Sequence, residues 1–352
     1  MTSIQSRGPR PRVDPAMAYE RPPLPTTVRL RLDANEGIPA LQSDADAELL
    51  RRYPDARPLE AKLARQFEVD SSQVFVAAGA DELIDRCCRA FLPPGGALLM
   101  PEPGFEMFPR YATLAGADMN TVTWPAGTFP REDLIARVGE RTAVIAMVTP
   151  NNPTGDVATG DDLRALSVAA PDALVILDHA YVEFADTDLT NVALELPNVV
   201  TLRTFSKAWG LAGCRVGYAL GPTQVIRALR AAGSPFPVSS LSLDAAAACL
   251  AQGTSRRDAF VTRIRHERKE LYQLLSTLTA NPRRSEGNFV FAELGRRSPS
   301  VRDALIAEGV LVRLISDRTA NPLGLRIALP GEEADFNLLQ QSLTVVLSGA
   351  RV

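Results

Sequence analysis

The sequence alternates short, continuously apolar segments with amphipathic helical segments, and this alternation constrains the fold more than any other feature. Segments 143–148 and 174–177 are apolar at every position and have the length of strands. Such strands are buried on both faces, so helices must cover the sheet from both sides. Parallel strands also need crossover connections of helical length. The pattern therefore predicts an α/β protein with a mostly parallel sheet flanked by helices.

After Pro235 the pattern changes to long helices followed by short strands, which indicates a second, smaller α+β domain. We predict a proline-rich arm over residues 1–28, a large domain over 29–240 and a small domain over 241–352. The predicted strands are 74–77, 97–100, 118–122, 143–148, 174–177, 199–204, 216–220, 288–292, 310–314 and 325–328. The predicted helices are 81–91, 105–115, 131–138, 160–169, 240–252, 255–278, 300–307 and 332–347.

Bulk properties exclude several classes of function. The chain has 352 residues and a net charge of −3 without a basic cluster, which argues against a nucleic-acid partner. Its apolar segments are far shorter than the ~20 residues that cross a bilayer, so we expect no membrane association. We expect no signal peptide, because the first residues are rich in proline and arginine. The four cysteines show no disulfide or metal-binding spacing, which favours a reducing, cytoplasmic location and predicts no metal.

Lysine is rare in this chain: of 38 basic residues, three are lysines. Lys62 and Lys269 lie in charged helical segments, where solvation or salt pairing is the usual role. Lys207 lies between a strand-like apolar segment and a glycine-rich turn. A lysine amine can lose its proton and condense with a carbonyl, whereas an arginine can do neither. Biased codon usage is the alternative explanation for the rarity, so rarity alone does not make Lys207 catalytic.

Polar side chains follow several predicted strands at the points where those strands end. Asp178, Asn152 and Lys207 each follow a different strand, and such strand ends form the binding crevice of an open α/β sheet. The segment 79–82 opens a helix whose N-terminus can bind an anion, and Arg215 can add a countercharge. Taken singly, each residue has a plainer interpretation as a cap, a turn or a core residue. Together with the aromatic Phe105, they form the set that pyridoxal phosphate requires: an amine, a carboxylate, a phosphate cradle and a stacking ring.

At these residues the chain resembles the class I/II aminotransferases of fold type I. The resemblance rests on SKAWGLAGCRVGY at 206–218, NNPTG at 151–155 and DHAY at 178–181. Within that family it is most similar to the histidinol-phosphate aminotransferase branch, and the likeness runs from about residue 29 to about residue 347. The features of that branch are LDANE at 32–36, RYPD at 52–55, VEF at 182–184, and the pair Arg313 and Arg326.

The resemblance implies a role for each matching residue around pyridoxal phosphate. Lys207 holds the cofactor covalently and acts as the base, and Asp178 pairs with the pyridine nitrogen. Tyr181 and Asn152 are implied to contact the ring hydroxyl oxygen, and Phe105 is implied to stack on the ring. The implied phosphate contacts are Ala80, Asp81, Thr204, Ser206 and Arg215. Tyr53 is implied to reach that phosphate from a second subunit. A homodimer with shared active sites is therefore implied.

The implied reaction moves an amino group between an amine and a keto acid. Arg326 binds the anionic group of the substrate, with Arg313 and Asn35 nearby, and the carbonyl partner is the pair 2-oxoglutarate and glutamate. The substrate stays open between histidinol phosphate, an aromatic amino acid and an amine of secondary metabolism. It stays open because the sequence departs from the branch pattern at residues 34–39, at His179 and at residues 235–240.

Three other functions fit parts of the sequence. Relatives of this fold decarboxylate phosphorylated amino acids with the same cofactor. A cofactor-binding transcription factor would need a DNA-binding module, for which the N-terminal arm is too short. Nucleotide binding is disfavoured because the glycines at 210 and 213 do not have the G-x-G-x-x-G spacing. His179 beside Asp178 could be taken for a base, but adjacent residues at a strand end point to opposite faces, so we expect no catalytic role for it.

Overall fold

The computed structural model describes residues 26–32, 53–317 and 321–349. Most of the predicted arm and the predicted substrate residue Asn35 lie outside the described residues. The strands in the described part of the chain are β1 (Leu30–Leu32), β2 (Val74–Ala77), β3 (Ala97–Glu102), β4 (Asp118–Thr123), β5 (Thr142–Val148), β6 (Leu174–Asp178), β7 (Val199–Thr204), β8 (Gly217–Leu220), β9 (Phe289–Ala292), β10 (Val310–Ser316) and β11 (Pro322–Ala328).

Helices separate most of these strands. In chain order, the α-helices among the described residues are Arg57–Gln66, Gly79–Phe91, Met107–Ala115, Arg131–Arg137, Gly160–Ala169, Thr190–Leu194, Thr223–Ala231, Ser240–Gln252, Thr254–Thr277, Ser298–Ala307 and Glu333–Gly349. None of the helices within the described ranges is both long and apolar enough to cross a membrane.

The larger sheet has the strand order β2-β8-β7-β6-β5-β3-β4 within the described residues. Neighbouring strands from β7 to β4 pair in parallel, whereas β8 pairs antiparallel with both β2 and β7. The predicted α/β class with a mostly parallel, mixed sheet is therefore confirmed.

The continuous apolar character of the central strands results from burial on both faces of the sheet. In β5, Val144 and Ala146 pack into the core that contains helix Gly79–Phe91. The alternate residues Ile145 and Met147 pack on the opposite face into the core of helix Gly160–Ala169. Because successive side chains of a strand point to opposite faces, a strand with two covered faces has no solvent-facing position for a polar residue.

The second sheet of the described residues is smaller and has the strand order β1-β10-β11-β9. Strand β1 pairs in parallel with β10, so that Leu30 lies opposite Val310. The predicted domain limits at residues 28 and 240 stay a prediction. Strand β1 lies after residue 28, in the predicted large domain, but it pairs with a strand of the smaller sheet. A pairing between residues so far apart in the chain leaves no local sequence signal.

The topology brings several strand ends to one edge of the larger sheet. Strands β3, β5, β6 and β7 are parallel, and β2 runs in the same direction because β8 pairs antiparallel with both β2 and β7. The segments after these strands therefore emerge at the same edge. They contain the residues that the sequence analysis selected at strand ends.

Candidate active site

Two glycines let an arginine reach the N-terminus of helix Gly79–Phe91. Gly79 has a φ of +84°, and a Cβ at this position would lie 2.6 Å from Nη2 of Arg215. That nitrogen donates to Oδ2 of Asp81 over 3.2 Å. A Cβ on Gly217 would lie 2.6 Å from the backbone of Gly79, so β8 approaches the helix closely because both residues are glycine. Backbone N–H groups at the helix start and the guanidinium together make a candidate anion cradle around Ala80 and Asp81.

Two buried hydroxyl groups lie at the end of β7. Thr204 Oγ1 donates to Ser206 Oγ over 2.9 Å and accepts from the backbone N–H of Ser206 over 3.1 Å. Thr204 can give its one hydroxyl proton to Ser206 Oγ or to the carbonyl of Val216 at 3.2 Å, and the Ser206 hydroxyl can donate to an oxygen of a ligand. This pair precedes Lys207 directly and adds hydrogen-bonding groups next to the lysine.

Asp178 ends β6 as a buried carboxylate, 3% exposed. Burial raises its pKa to about 7, while the backbone N–H of Ala180, which donates to Oδ1 over 3.0 Å, and the charge of Lys207 oppose the shift. A buried carboxylate whose pKa is raised in this way is stabilised as an anion by a neighbouring cation. A protonated ring nitrogen is a cation of the appropriate size for such a position.

Lys207 and Tyr181 lie close together although they follow different strands. The Nζ atom of Lys207 is 5.6 Å from the centroid of the Tyr181 ring. Tyr181 is buried, and its ring packs edge-on against Phe289 at 5.2 Å between centroids. The amine is therefore partly buried beside an aromatic ring and near the Asp178 carboxylate.

The loop after β5 is joined to the loop after β3. Asn151 Nδ2 donates to the carbonyl of Pro103 over 2.9 Å and to Oγ1 of Thr154 over 2.9 Å. The first of these bonds positions the loop that contains Phe105, a partly buried ring that packs edge-on against Phe108. Asn151 was quoted in the sequence motif but was not assigned a role, and its positioning of two site loops was missed.

Two arginines of the small sheet extend toward the same region. Arg326 is buried, and its Nη1 donates to Oδ1 of Asn152 over 2.6 Å. Arg313 lies opposite Arg326 in the register of β10 and β11. Its Nη2 donates to Oε1 of Glu106 over 3.0 Å. The small sheet therefore places guanidinium groups next to the asparagine loop of the large sheet.

Tyr53 is not brought into this set of residues. Its ring is 82% exposed and stacks on Phe236 with 4.9 Å between centroids. Asn35 lies outside the described residues, so its predicted substrate contact stays a prediction.

A largely buried charge cluster joins β7 to the segment that follows β6. The sequence analysis missed this cluster. Arg203 on β7 donates to Asp188 over 2.8 Å and to Glu183 over 3.1 Å. His179 is buried with Nδ1 3.6 Å from Oδ1 of Asp188, and burial lowers its pKa against the opposing influence of Asp188. Burial therefore favours the neutral form of this ring. An arginine inside the otherwise uncharged strand 199–204 was the signal for this cluster, because a buried guanidinium needs carboxylate partners.

The assembled residues fit pyridoxal phosphate in their chemistry. Glycine at position 79 leaves room for the Arg215 guanidinium beside the helix N-terminus, and this combination suits a phosphate. Asp178 is a buried carboxylate of the kind that a protonated ring nitrogen needs, and Lys207 is a primary amine near it. In the described ranges, no group of three or more histidine, cysteine or acidic side chains could hold a metal ion.

Comparisons with known proteins show the family of this chain. The family model described as "Aminotransferase class I and II" matches residues 30–340. The chain is 35% identical over 309 residues to histidinol-phosphate aminotransferase 2 of Pseudomonas aeruginosa, covering 84% of this chain and 82% of that protein. It is 33% identical over 340 residues to the aromatic amino acid aminotransferase of Corynebacterium jeikeium, covering 90% and 89% of the two chains.

A solved structure of the same fold contains the cofactor. The histidinol-phosphate aminotransferase from Sinorhizobium meliloti in complex with pyridoxal-5'-phosphate superposes with a TM-score of 0.81 and 25% identity, covering 92% of each chain. The decarboxylase alternative is not favoured, because these relatives are aminotransferases. The chain therefore belongs to the class I and II aminotransferase family and is a pyridoxal phosphate-dependent aminotransferase.

Proposed function

We propose that this aminotransferase moves the amino group of an aromatic amino acid or of histidinol phosphate to 2-oxoglutarate, forming glutamate. The observation that carries the proposal is the buried Arg326, whose guanidinium meets Asn152 beside the cofactor residues. Arg326 can bind one anionic group, either the carboxylate of an amino acid or the phosphate of histidinol phosphate. The names of the relatives support both donors.

The cofactor, when bound, supplies an electron sink for the pair of electrons left behind when a proton leaves the substrate carbon. Lys207 would be the covalent attachment point, and after the substrate amine has displaced its Nζ, that nitrogen would act as the base that moves a proton from the substrate carbon to the cofactor. Asp178 accepts a hydrogen bond from the ring nitrogen and keeps it protonated. The other proposed contacts are those of Tyr181 and Asn152 with the ring oxygen, Phe105 with the ring face, and Ala80, Asp81, Thr204, Ser206 and Arg215 with the phosphate.

A donor panel tests the substrate proposal. Purified enzyme is incubated with 2-oxoglutarate and, in turn, histidinol phosphate, phenylalanine, tyrosine and an aliphatic amino acid, and glutamate is measured. We expect glutamate from an aromatic amino acid or from histidinol phosphate. The variant Arg326→Ala should lower kcat/KM for that donor by about 30- to 100-fold, mainly through KM, because a charge-assisted hydrogen bond to the substrate is lost.

The same assay contains its own controls. Arg326→Ala should keep the visible absorbance of the bound cofactor, since Arg326 is proposed to bind the substrate. Arg302→Ala, on a partly exposed arginine paired with Asp303 on the surface, should behave as the unchanged enzyme does. Release of carbon dioxide without glutamate from every donor would contradict transamination, and an unchanged KM in Arg326→Ala would contradict the assignment of Arg326.

We also propose a cytoplasmic homodimer in which Tyr53 of each subunit completes the site of its partner. The ring of Tyr53 is 82% exposed in one chain, and it stacks on the half-exposed Phe236. An exposed aromatic pair of this kind is typical of a surface that a partner covers. The free thiols of Cys87, Cys88, Cys214 and Cys249 support a reducing compartment.

Mixing two defective variants tests this sharing. Chains with Lys207→Ala and chains with Tyr53→Ala are unfolded together, refolded and assayed at a cofactor concentration that leaves Tyr53→Ala unsaturated. If Tyr53 serves the partner, half of the dimers are hybrids with one native site, so about a quarter of the native activity should return. If Tyr53 serves its own chain, the hybrids contain no native site, and activity at the level of the separate variants would contradict the proposal.

A further inference from the structure

The two arginines of the small sheet contact different residues of the large sheet's loops. Arg313 and Arg326 are directly opposite each other in the antiparallel register of β10 and β11, so their side chains share one face of the sheet. Arg326 is buried against the neutral Asn152. Arg313 forms an ion pair with Glu106 over 3.0 Å, with 27% of the Arg313 side chain and 61% of the Glu106 side chain exposed.

We propose that Glu106 determines substrate specificity by acting as a built-in counter-ion of Arg313, which makes the site prefer substrates with one anionic group over dicarboxylates. This inference rests on the proposed function, in which Arg326 binds the anionic group next to the cofactor. Glu106 directly follows Phe105, the residue proposed to stack on the cofactor ring. In this proposal, the distal end of a substrate bound at Arg326 extends toward the ion pair of Arg313, which lies opposite Arg326 in the sheet.

A dicarboxylate such as glutamate must compete with Glu106 for Arg313. Its distal carboxylate has to displace the Glu106 carboxylate and then remain close to that negative charge. An apolar side chain, such as that of phenylalanine, leaves the ion pair intact. Because the pair is partly exposed, its strength is modest and a dicarboxylate is disfavoured without being excluded. The enzyme can thus still accept 2-oxoglutarate while favouring a donor with an uncharged distal group.

The substitution Glu106→Gln tests the proposal, because it removes the charge and keeps the size of the side chain. The amino-donor half-reaction is followed separately with glutamate and with phenylalanine by the decrease in visible absorbance of the bound cofactor. We expect the ratio of kcat/KM for glutamate to that for phenylalanine to rise by about three- to tenfold. The rise should shrink at high salt. Glu132→Gln, on an exposed glutamate that pairs with Arg131, is the matched control and should leave the ratio unchanged.

A second variant tests whether Glu106 acts through Arg313. Arg313→Gln should lower the ratio, and adding Glu106→Gln to it should raise the ratio by much less than in the native background. An unchanged or lower ratio in Glu106→Gln, or the same rise with and without Arg313, would overturn the proposal. Failure of the proposed function gives a different result, because the unsubstituted enzyme would then show no half-reaction with phenylalanine, tyrosine or histidinol phosphate.

Discussion

Replacing Lys207 by alanine is expected to abolish transamination while leaving a folded protein. The Lys207 amine lies 5.6 Å from the centroid of the Tyr181 ring and near the buried Asp178 carboxylate, whereas the other two lysines, Lys62 and Lys269, are exposed on helices. Loss of the base alone costs about 10²- to 10⁴-fold in rate, and loss of the covalent attachment adds to this. Turnover with the best donor should therefore fall by at least about 10⁴-fold.

The measurement combines turnover with a chemical mark on the attachment point. Reduction of the native enzyme with borohydride should fix the cofactor on the peptide that contains Lys207, as detected by mass spectrometry, and the variant should show no such peptide. The other two lysines are matched controls, because Lys62 and Lys269 are exposed on helices. Lys62→Ala and Lys269→Ala should keep both turnover and the label. A labelled peptide in Lys207→Ala would place the attachment elsewhere.

Much of the large domain was predictable because its strands are buried on both faces. Strand β7 (Val199–Thr204) and helix Gly160–Ala169 have the predicted limits. The helix predicted from residue 105 begins at Met107 instead, because the segment before it belongs to the loop that carries Phe105. Strand β1 was missed because its partner is β10, and only the folded chain brings the two together.

The candidate site was predictable to the extent that each residue follows a strand. Asp178, Asn152 and Lys207 could be assigned to one edge of the sheet because parallel strands all end there. The contacts between distant segments could not be predicted in this way. The pair of Arg313 with Glu106 and the bond from Arg326 to Asn152 join two domains, and the sequence contains no local pattern that specifies either contact. These contacts are the ones that we propose distinguish substrates, so the cofactor was easier to predict than the donor.

The Asp178 carboxylate is expected to be both essential for activity and unfavourable for the stability of the cofactor-free protein. Asp178→Asn removes the negative charge behind the ring nitrogen while keeping the shape of the side chain. Because one preorganised electrostatic group is typically worth about 10²- to 10³-fold in rate, turnover should fall by about that factor. The borohydride label on Lys207 should persist in this variant, which separates the role of Asp178 from that of the attachment point.

The stability of the cofactor-free protein should change with pH because of the same residue. Burial raises the pKa of Asp178 from 3.8 to about 7, so the folded chain binds more protons than the unfolded chain between these two values. Stability is therefore highest below about pH 4 for this group and falls as pH rises toward about 7, by at most about 4 kcal/mol. The amide of the Asp178→Asn variant has no proton to lose in this range, so the loss of stability should be absent from that variant.

Thermal unfolding of cofactor-free protein at about pH 5 and about pH 8 measures this effect. Relative to the native chain, Asp178→Asn should raise Tm more at the higher pH than at the lower one, because the buried anion is fully formed only at the higher pH. Asp172→Asn, on an exposed aspartate, is the matched control and should shift Tm equally little at both values. Bound cofactor should reduce the difference between the native chain and Asp178→Asn, since a protonated ring nitrogen stabilises the Asp178 anion. An equal Tm shift at both pH values would mean that the Asp178 carboxylate is not desolvated in the folded chain, and the basis for its pairing with the ring nitrogen would be lost.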